Sequence, residues 1–519
     1  MNMIKIFILL SILTVFNSSF GQPKSQQEYQ KHNVLFIAVD DLKPLLNCYG
    51  ESQIISPNID KLAKSGAVFL NNQCQQAVCS PSRASLMFGM RPDKTKVWDL
   101  NTPVRTATKD KKTVAQHFKN NGYETSAFGK IFHISMADKE HDTESWSISY
   151  SKINIENYPE NIGTPFAGHY QEPEVKKEQI RLYNSYINEG LNPGKARAKV
   201  LETVKPSTEM LDMPDDAYGD GQIANNSVKM IQRLANKDKP FFIAVGFKKP
   251  HLPFVAPKKY WDLYTPEKIE LSEYQKAPEN APDFAMHSWG ELKSYSDINP
   301  AIQANGLLKE EKQRELIHGY MAAVSYTDAN IGKLLDELEN QGVADKTIVV
   351  LWGDHGWHLG DHGIWCKHSN FEQATRAPLI FSSPEMKKGI KNSSPVEFID
   401  IYPTLCDLAG IEIPDFTDGK SLKPILAGKA EKVKDYAISQ YPRGNNRMGY
   451  SLRNERYRYT AWYAIDFRKG EKATSEKIIA EELYDYQNDK LEMKNLAEQD
   501  SYTKVKSDLA EMLNEFLKL

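Results

Sequence analysis

The chain has 519 residues, too many for one small core and enough for a large domain with a smaller one beside it. Hydrophobic residues are 40% and charged residues 26%, the balance of a soluble globular protein and not of a disordered one. A formal net charge of -3 gives no reason to expect nucleic acid or an anionic membrane as partner.

The first 21 residues have the pattern of a secretory signal. Lys5 supplies a positive start, residues 6–16 are almost wholly apolar, and Ser19 and Gly21 are small residues spaced for cleavage before Gln22. The apolar run is short for a bilayer span, and no later run is long enough for one. The protein is therefore expected to be exported, periplasmic or secreted, without membrane insertion. Five cysteines, Cys48, Cys74, Cys79, Cys366 and Cys406, form no CxxC pair. An odd count in an exported chain points to at least one special thiol; the other four leave room for disulfides of unassigned pairing.

Residues 34–39, 241–245 and 348–352 are short apolar runs rich in β-branched or aromatic side chains, and read as buried strands of a parallel sheet. Helical patterns at 56–65, 113–120 and 325–341 alternate with them, which predicts an α/β sheet with helices on both faces. Residues 138–220 are polar and read as an irregular insertion. From about residue 432 aromatics and arginines at 450–462, a charged stretch and a helical pattern at 503–517 predict a small antiparallel sheet packed with a helix. The predicted organisation is a signal at 1–21, a catalytic domain at 22–431 and a C-terminal subdomain at 432–519.

Each strand run stops at site-like residues: Asp40-Asp41 after the first, Lys248, Lys249 and His251 after the second, Asp354-His355 after the third. Ligands of open α/β sheets bind beyond the carboxyl ends of the strands, so these groups would converge. Carboxylates gathered so closely repel unless a cation neutralises them, and a hard ion such as Ca²⁺ is the simplest answer. In Cys79-Ser80-Pro81-Ser82-Arg83 the proline suits a first helical turn, which puts residue 79 at a helix N-terminus where an anion is favoured.

This signature resembles that of the type I sulfatases, in which Cys-x-Pro-x-Arg directs oxidation of the cysteine to formylglycine (3-oxoalanine). The resemblance runs over nearly the whole mature chain, through Asp40-Asp41, Gly129-Lys130 with His133, Pro250-His251, Asp354-His355-Gly356 and Lys367. It is nearest the iduronate-2-sulfatase branch, which Tyr49-Gly50, residues 56–60, 75–79, 365–370 and 439–443 resemble. His355 departs from the Asn of most sulfatases but matches that branch, and Phe88 stands where many members have Thr. The resemblance implies an alkaline-phosphatase-like sulfatase fold: a large mixed, mostly parallel sheet between helices, with the antiparallel subdomain behind it.

It also implies roles. Asp40, Asp41, Asp354 and His355, with residue 79, would hold Ca²⁺. Arg83 and Lys130 would stabilise the formylglycine diol, His133 would remove a proton from it, His251 would protonate the leaving oxygen and Lys367 would hold a sulfate oxygen. A helical turn is expected to place Lys130 and His133 on one face. Trp98, Trp357, His358, Trp365 and Arg443 are candidate substrate contacts, by stacking on sugars or forking onto a carboxylate. The partners expected are a sulfated oligosaccharide or polysaccharide and a formylglycine-generating maturation enzyme. The substrate is expected to be a uronic-acid-containing algal polysaccharide such as ulvan, because the chain has a bacterial composition and departs from the iduronate enzyme at His358. Glycosaminoglycan sulfatase, phosphoester or phosphonate hydrolase, and inactive glycan-binding protein are the alternatives.

Overall fold

The computed structural model describes residues 31–138, 141–150 and 170–518. The predicted signal lies outside them. Seven strands form the main sheet: β1 (Asn33–Val39), β2 (Ala67–Phe69), β3 (Glu124–Gly129), β4 (Phe241–Phe247), β5 (Thr347–Gly353), β6 (Leu379–Ser382) and β7 (Ile390–Asn392), in the order β7-β2-β6-β5-β1-β4-β3. The three predicted apolar runs are its centre: β1 pairs in parallel with both β4 and β5. β3 pairs in parallel with β4, whereas β6 runs antiparallel to β5 and β2. The sheet is thus mixed and mostly parallel, as expected.

Alternation along β1 explains why its whole sequence is apolar. Leu35, Ile37 and Val39 face one core, Val34, Phe36 and Ala38 the other. The first core is closed by α1 (Pro57–Ser65), α3 (Gly219–Ala235) and the long α4 (Glu310–Asn340); α2 (Cys79–Phe88) contributes to the second. α4 starts 15 residues before the predicted 325. Gly319 lies inside it because a Cβ there would meet Trp261 at 2.8 Å and Phe254 at 2.9 Å.

The predicted irregular insertion is in part regular. Helices Pro173–Asn188 and Pro193–Thr203 and a strand Thr208–Leu211 fill its described end, and Asn192 caps the second helix by accepting from the Lys195 N–H at 2.9 Å. All five cysteines are buried and free, so no disulfide forms among the described residues.

The C-terminal part is the predicted antiparallel sheet, β8 (Ala437–Pro442), β9 (Arg447–Arg453), β10 (Tyr457–Ala464) and β11 (Ile478–Asp485), with helix α5 (Thr503–Lys518). It is fastened to the main body close to the signature cysteine. The Gln440 N–H donates to the Gln75 carbonyl at 2.7 Å and the Ser439 hydroxyl to the Cys74 carbonyl at 2.6 Å. Buried Arg458 also reaches Glu372 and Thr375 of the main body.

Candidate active site

The ends of β1, β3, β4 and β5 meet where the sequence places its polar residues. Glycines permit the approach. Gly129 has φ +71°, and a Cβ on it would lie 2.0 Å from the Gly246 carbonyl oxygen, so only a bare backbone lets β3 and β4 finish side by side. After β1, Asp41 takes φ 60°, a conformation non-glycine residues rarely adopt. It is held there by its N–H, which donates to Asp354 Oδ1 at 3.0 Å, and by the Tyr320 hydroxyl of α4, which donates to its carbonyl at 2.8 Å.

Cys79 opens α2, as the signature predicts, and its side chain is buried against the carboxylates. One donor atom from each of Asp40, Asp41, Cys79 and His355 lies within 4.8 Å of the others. Cys79 Sγ stands 3.4 Å from His355 Nε2. The His355 Nδ1–H donates to the Gly356 carbonyl at 2.9 Å, which leaves the Nε2 lone pair aimed at this cluster. Asp354 is the adjoining third carboxylate, its Oδ1 3.6 Å from the same Nε2.

Buried Arg83 and Lys367 and half-buried Lys130 balance these acids. Fully buried Arg83 donates from Nε to Asp354 Oδ2 at 2.9 Å and from Nη2 to Asp40 Oδ1 at 3.2 Å. Its Nη1 caps the Lys130 and Ile131 carbonyls, and its guanidinium lies over Trp352. Lys130 pairs with Asp40, and Lys367 donates to both Asp41 oxygens at 3.0 and 3.2 Å. The neutralisation expected of a metal is thus shared with protein cations. Even so, burial pushes the Asp41 carboxyl well above its usual range; Lys367 opposes the shift, and Asp40 and Cys79 add to it. Asp40 lies well below that range, because Lys130, His251 and Arg83 outweigh its burial. Burial raises the Cys79 thiol to about 12, so it is no thiolate nucleophile.

A second group abuts the first. Glu291, on the short helix Gly290–Lys293, places Oε1 3.0 Å from Lys367 Nζ and 3.3 Å from His251 Nε2, and Oε2 3.3 Å from His368 Nε2. His368 Nδ1 lies 2.6 Å from the Tyr441 hydroxyl of β8. The His251 Nδ1–H donates to the Leu252 carbonyl at 2.6 Å, so Nε2 faces Glu291 and, at 3.9 Å, Asp41. Burial and then Lys367 push the His251 pKa well down, while Asp40 and Glu291 oppose them. His133 is not on a helical turn with Lys130. The chain leaves β3 through a bend and turns back at His133, whose carbonyl accepts from the Met136 N–H. Its Nδ1 bonds the Ser135 hydroxyl at 2.7 Å, and burial and Lys130 lower its pKa to about 4.

The predicted substrate contacts scatter. Trp357 is buried beneath Lys367, whose ammonium lies 4.9 Å from its ring centre. Trp365 is buried in the first core. His358 is fully buried, with Nε2 3.0 Å from the Ser369 hydroxyl. Arg443 donates to the Phe284 and Ala285 carbonyls and packs between Tyr441 and Trp462. Trp98 packs on Phe467 behind the C-terminal sheet. Sequence reasoning did not find Glu291 or His368, since neither ends a strand or belongs to a run with a spacing signal.

The chain shares its fold with a protein solved in complex with its substrate D-glucosamine-2-N,6-O-disulfate, with a TM-score of 0.69 at 21% identity over 94% of this chain and 98% of that one. This is the alkaline-phosphatase-like sulfatase fold. Residues 32–411 match the sulfatase family model, and residues 360–518 match the model for the C-terminal part of N-sulphoglucosamine sulphohydrolase. Human iduronate 2-sulfatase is 32% identical over 89% of this chain and 90% of its own length. A sulfatase from Formosa agariphila is also 32% identical, over 87% and 83%. An ulvan-active sulfatase of that organism is 25% identical over 84% and 74%. The chain belongs to the sulfatase family and is a hydrolase of sulfate esters.

Proposed function

We propose that the protein is an exported enzyme that removes sulfate from a sugar of a uronic-acid-containing polysaccharide, with residue 79 as formylglycine and Ca²⁺ in the carboxylate cluster. The observation that carries this is the junction of two groups: a carboxylate cluster with an imidazole lone pair aimed at residue 79, and beside it a cation–imidazole set suited to a sulfate ester. The donors fit a metal, because a carboxyl as costly to ionise as Asp41 gains from a divalent cation and His355 turns Nε2 toward the carboxylates. Asp40, Asp41, Asp354 and His355 would hold the ion, which supplies positive charge beside the nucleophile. The Cys79 sulfur marks where the hydrate oxygens of the modified residue belong, once the maturation enzyme and its oxidant have converted the thiol carbon to an aldehyde. That hydrate carries two hydroxyls on one carbon: one, its proton lost to solvent beside the cationic charge, would bond to sulfur as the sugar oxygen leaves, and the other would let sulfate go.

The chain's own residues then act in order. Lys367 and Lys130 hold sulfate oxygens and the charge that develops on them. As the sulfur–sugar oxygen bond breaks, His251, which takes up a proton on Nε2 beside Glu291 when the anionic ester binds, gives that proton to the leaving oxygen. His133, held neutral by burial and Lys130, takes the proton of the second hydroxyl. The electrons of that O–H bond become the C=O of the aldehyde, the carbon–oxygen bond to sulfate breaks, and sulfate departs. Arg83 keeps Asp40 and Asp354 in place throughout.

An algal substrate such as ulvan is supported by the likeness to the ulvan-active sulfatase. A glycosaminoglycan substrate of the iduronate 2-sulfate type is the second reading, favoured by the higher identity to the human enzyme. The burial of His358 weakens the case for a changed specificity at that position. Sulfate release from ulvan and carrageenan oligosaccharides, beside heparan and dermatan ones, separates the two, with Cys79→Ala as control. Release from algal sugars alone supports the first reading and from animal glycans alone the second; release from neither sinks the glycan assignment.

A further inference from the structure

A cavity of about 800 Å³ lies between the C-terminal sheet and the main body, and no residue of the Cys79 site lines it. Its size falls in the range of ligand pockets, about 300–1,000 Å³. Trp98, singled out in the sequence as a sugar contact, is in its wall with Tyr450 and Phe467. Seven basic and five acidic residues line it, an excess of positive charge in a chain whose net charge is -3.

The acids are already engaged. Glu397 is held by Arg91 at 2.7 Å and Lys434 at 2.6 Å, and Asp93 accepts from Trp98 Nε1, Gln440 and the Tyr450 hydroxyl. The cations at the rim are not. Among the described residues no carboxylate pairs with exposed Lys96, Lys420 or Lys472; the Lys96 ammonium instead lies over the Trp98 ring at 5.4 Å, and Lys420 donates to the Val433 carbonyl at 3.3 Å. The aromatics are buried and form a firm floor, and the unpaired ammonium groups above it take the sulfate or carboxylate of a sugar.

We propose that this cleft is a second carbohydrate site, which holds an anionic stretch of the sulfated polymer while another stretch lies at Cys79. The proposal rests on the glycan reading above. Linked binding of this kind raises the affinity for a polymer and leaves small substrates unaffected.

The test uses the full chain with Lys96→Glu and Lys472→Glu, both at exposed positions. In a Cys79→Ala background, retention on ulvan and heparan sulfate in affinity gels is read against a neutral glucan and against Lys388→Glu, an exposed lysine outside the cleft. In the active background, KM is read on polymer and on a small aryl sulfate. The expected result is a fall in retention of at least about 5-fold, a polymer KM raised at least about 3-fold, aryl sulfate kinetics unchanged, and no effect of Lys388→Glu. Unchanged retention and polymer KM in the double variant, or an equal loss with Lys388→Glu, overturns the second site. Retention lost in the double variant without sulfate release from any glycan keeps the cleft and overturns the glycan sulfatase reading.

Discussion

Glu291→Gln tests whether the group around Lys367 and His251 works as a unit. The substitution keeps size and shape and removes only the charge. Oε1 can still accept from Lys367 and His251, at 3.0 and 3.3 Å in the parent, and the new amide N–H₂ faces His368 Nε2. The Lys367 contact changes from an ion pair to a hydrogen bond from an ammonium to a neutral amide, and the imidazole contacts lose their anionic partner, a loss of about 1–1.5 kcal/mol each. Two of these contacts orient Lys367 and His251, the groups proposed to meet the sulfate and the leaving oxygen. If both losses are felt in the transition state, kcat/KM falls about 30- to 150-fold, at about 1.4 kcal/mol per decade. The assay is kcat/KM on a sulfated sugar, with formylglycine content measured by mass spectrometry and folding by thermal midpoint. A variant with parental formylglycine content and midpoint, and with kcat/KM within about 2-fold of the parent, refutes the reasoning.

The remaining predictions concern the acid, the metal, the docked sheet and pH. His251→Ala should lose most turnover on sugars, whose leaving oxygen needs a proton, and much less on an activated aryl sulfate; equal losses reject the acid role. In Cys79→Ala protein stripped with chelator, added Ca²⁺ at about 100 times its Kd should stabilise the fold by about 2.7 kcal/mol, read as a rise in thermal midpoint, and no rise with any divalent ion argues against the site. Arg458→Met leaves buried Glu492 without its cation and Glu372 with Arg453 alone, and should cost about 3–5 kcal/mol in urea unfolding, whereas Arg456→Met, at an exposed arginine, should cost much less. Arg91 and Lys434 overcome burial to hold Glu397 at about 2, below its unfolded value, so its stabilisation is present near neutrality and is lost as pH falls from about 4.5 toward 2. The stability gap between parent and Glu397→Gln should therefore shrink on acidification, and a constant gap from pH 7 to 3 contradicts it.

The centre of the fold was readable because β1, β4 and β5 are covered on both faces and so are apolar at every position, a pattern local sequence displays. The site was readable for a related reason. Asp40, Asp41, Asp354 and His355 are the first polar residues after β1 and β5, and Cys79 starts a helix whose proline and arginine are close in sequence. What could not be read depends on partners distant in the chain. The first half of α4 was hidden by Gly319, whose purpose is to admit Trp261 and Phe254. Glu291 reaches Lys367, 76 residues away, from a four-residue helix with no periodicity to reveal it.

The same distinction accounts for the tryptophans. Composition marks an aromatic as a possible sugar platform, but its surroundings decide. Trp357 and Trp365 are consumed by the core under Lys367 and the first hydrophobic cluster. Trp98 is turned away from Cys79 by a hydrogen bond to Asp93 and by Phe467, a residue 369 positions further on. The docking of the C-terminal sheet therefore sets which of its groups reach the candidate site. β8 brings Tyr441 to His368 and, through Gln440 and Ser439, braces the strand of chain that leads into Cys79. A change in that docking would move the sugar-side groups while leaving the carboxylate cluster, which is built wholly from the main sheet and α2, where it is. Selection on substrate can thus act on the tail without disturbing the chemistry at residue 79.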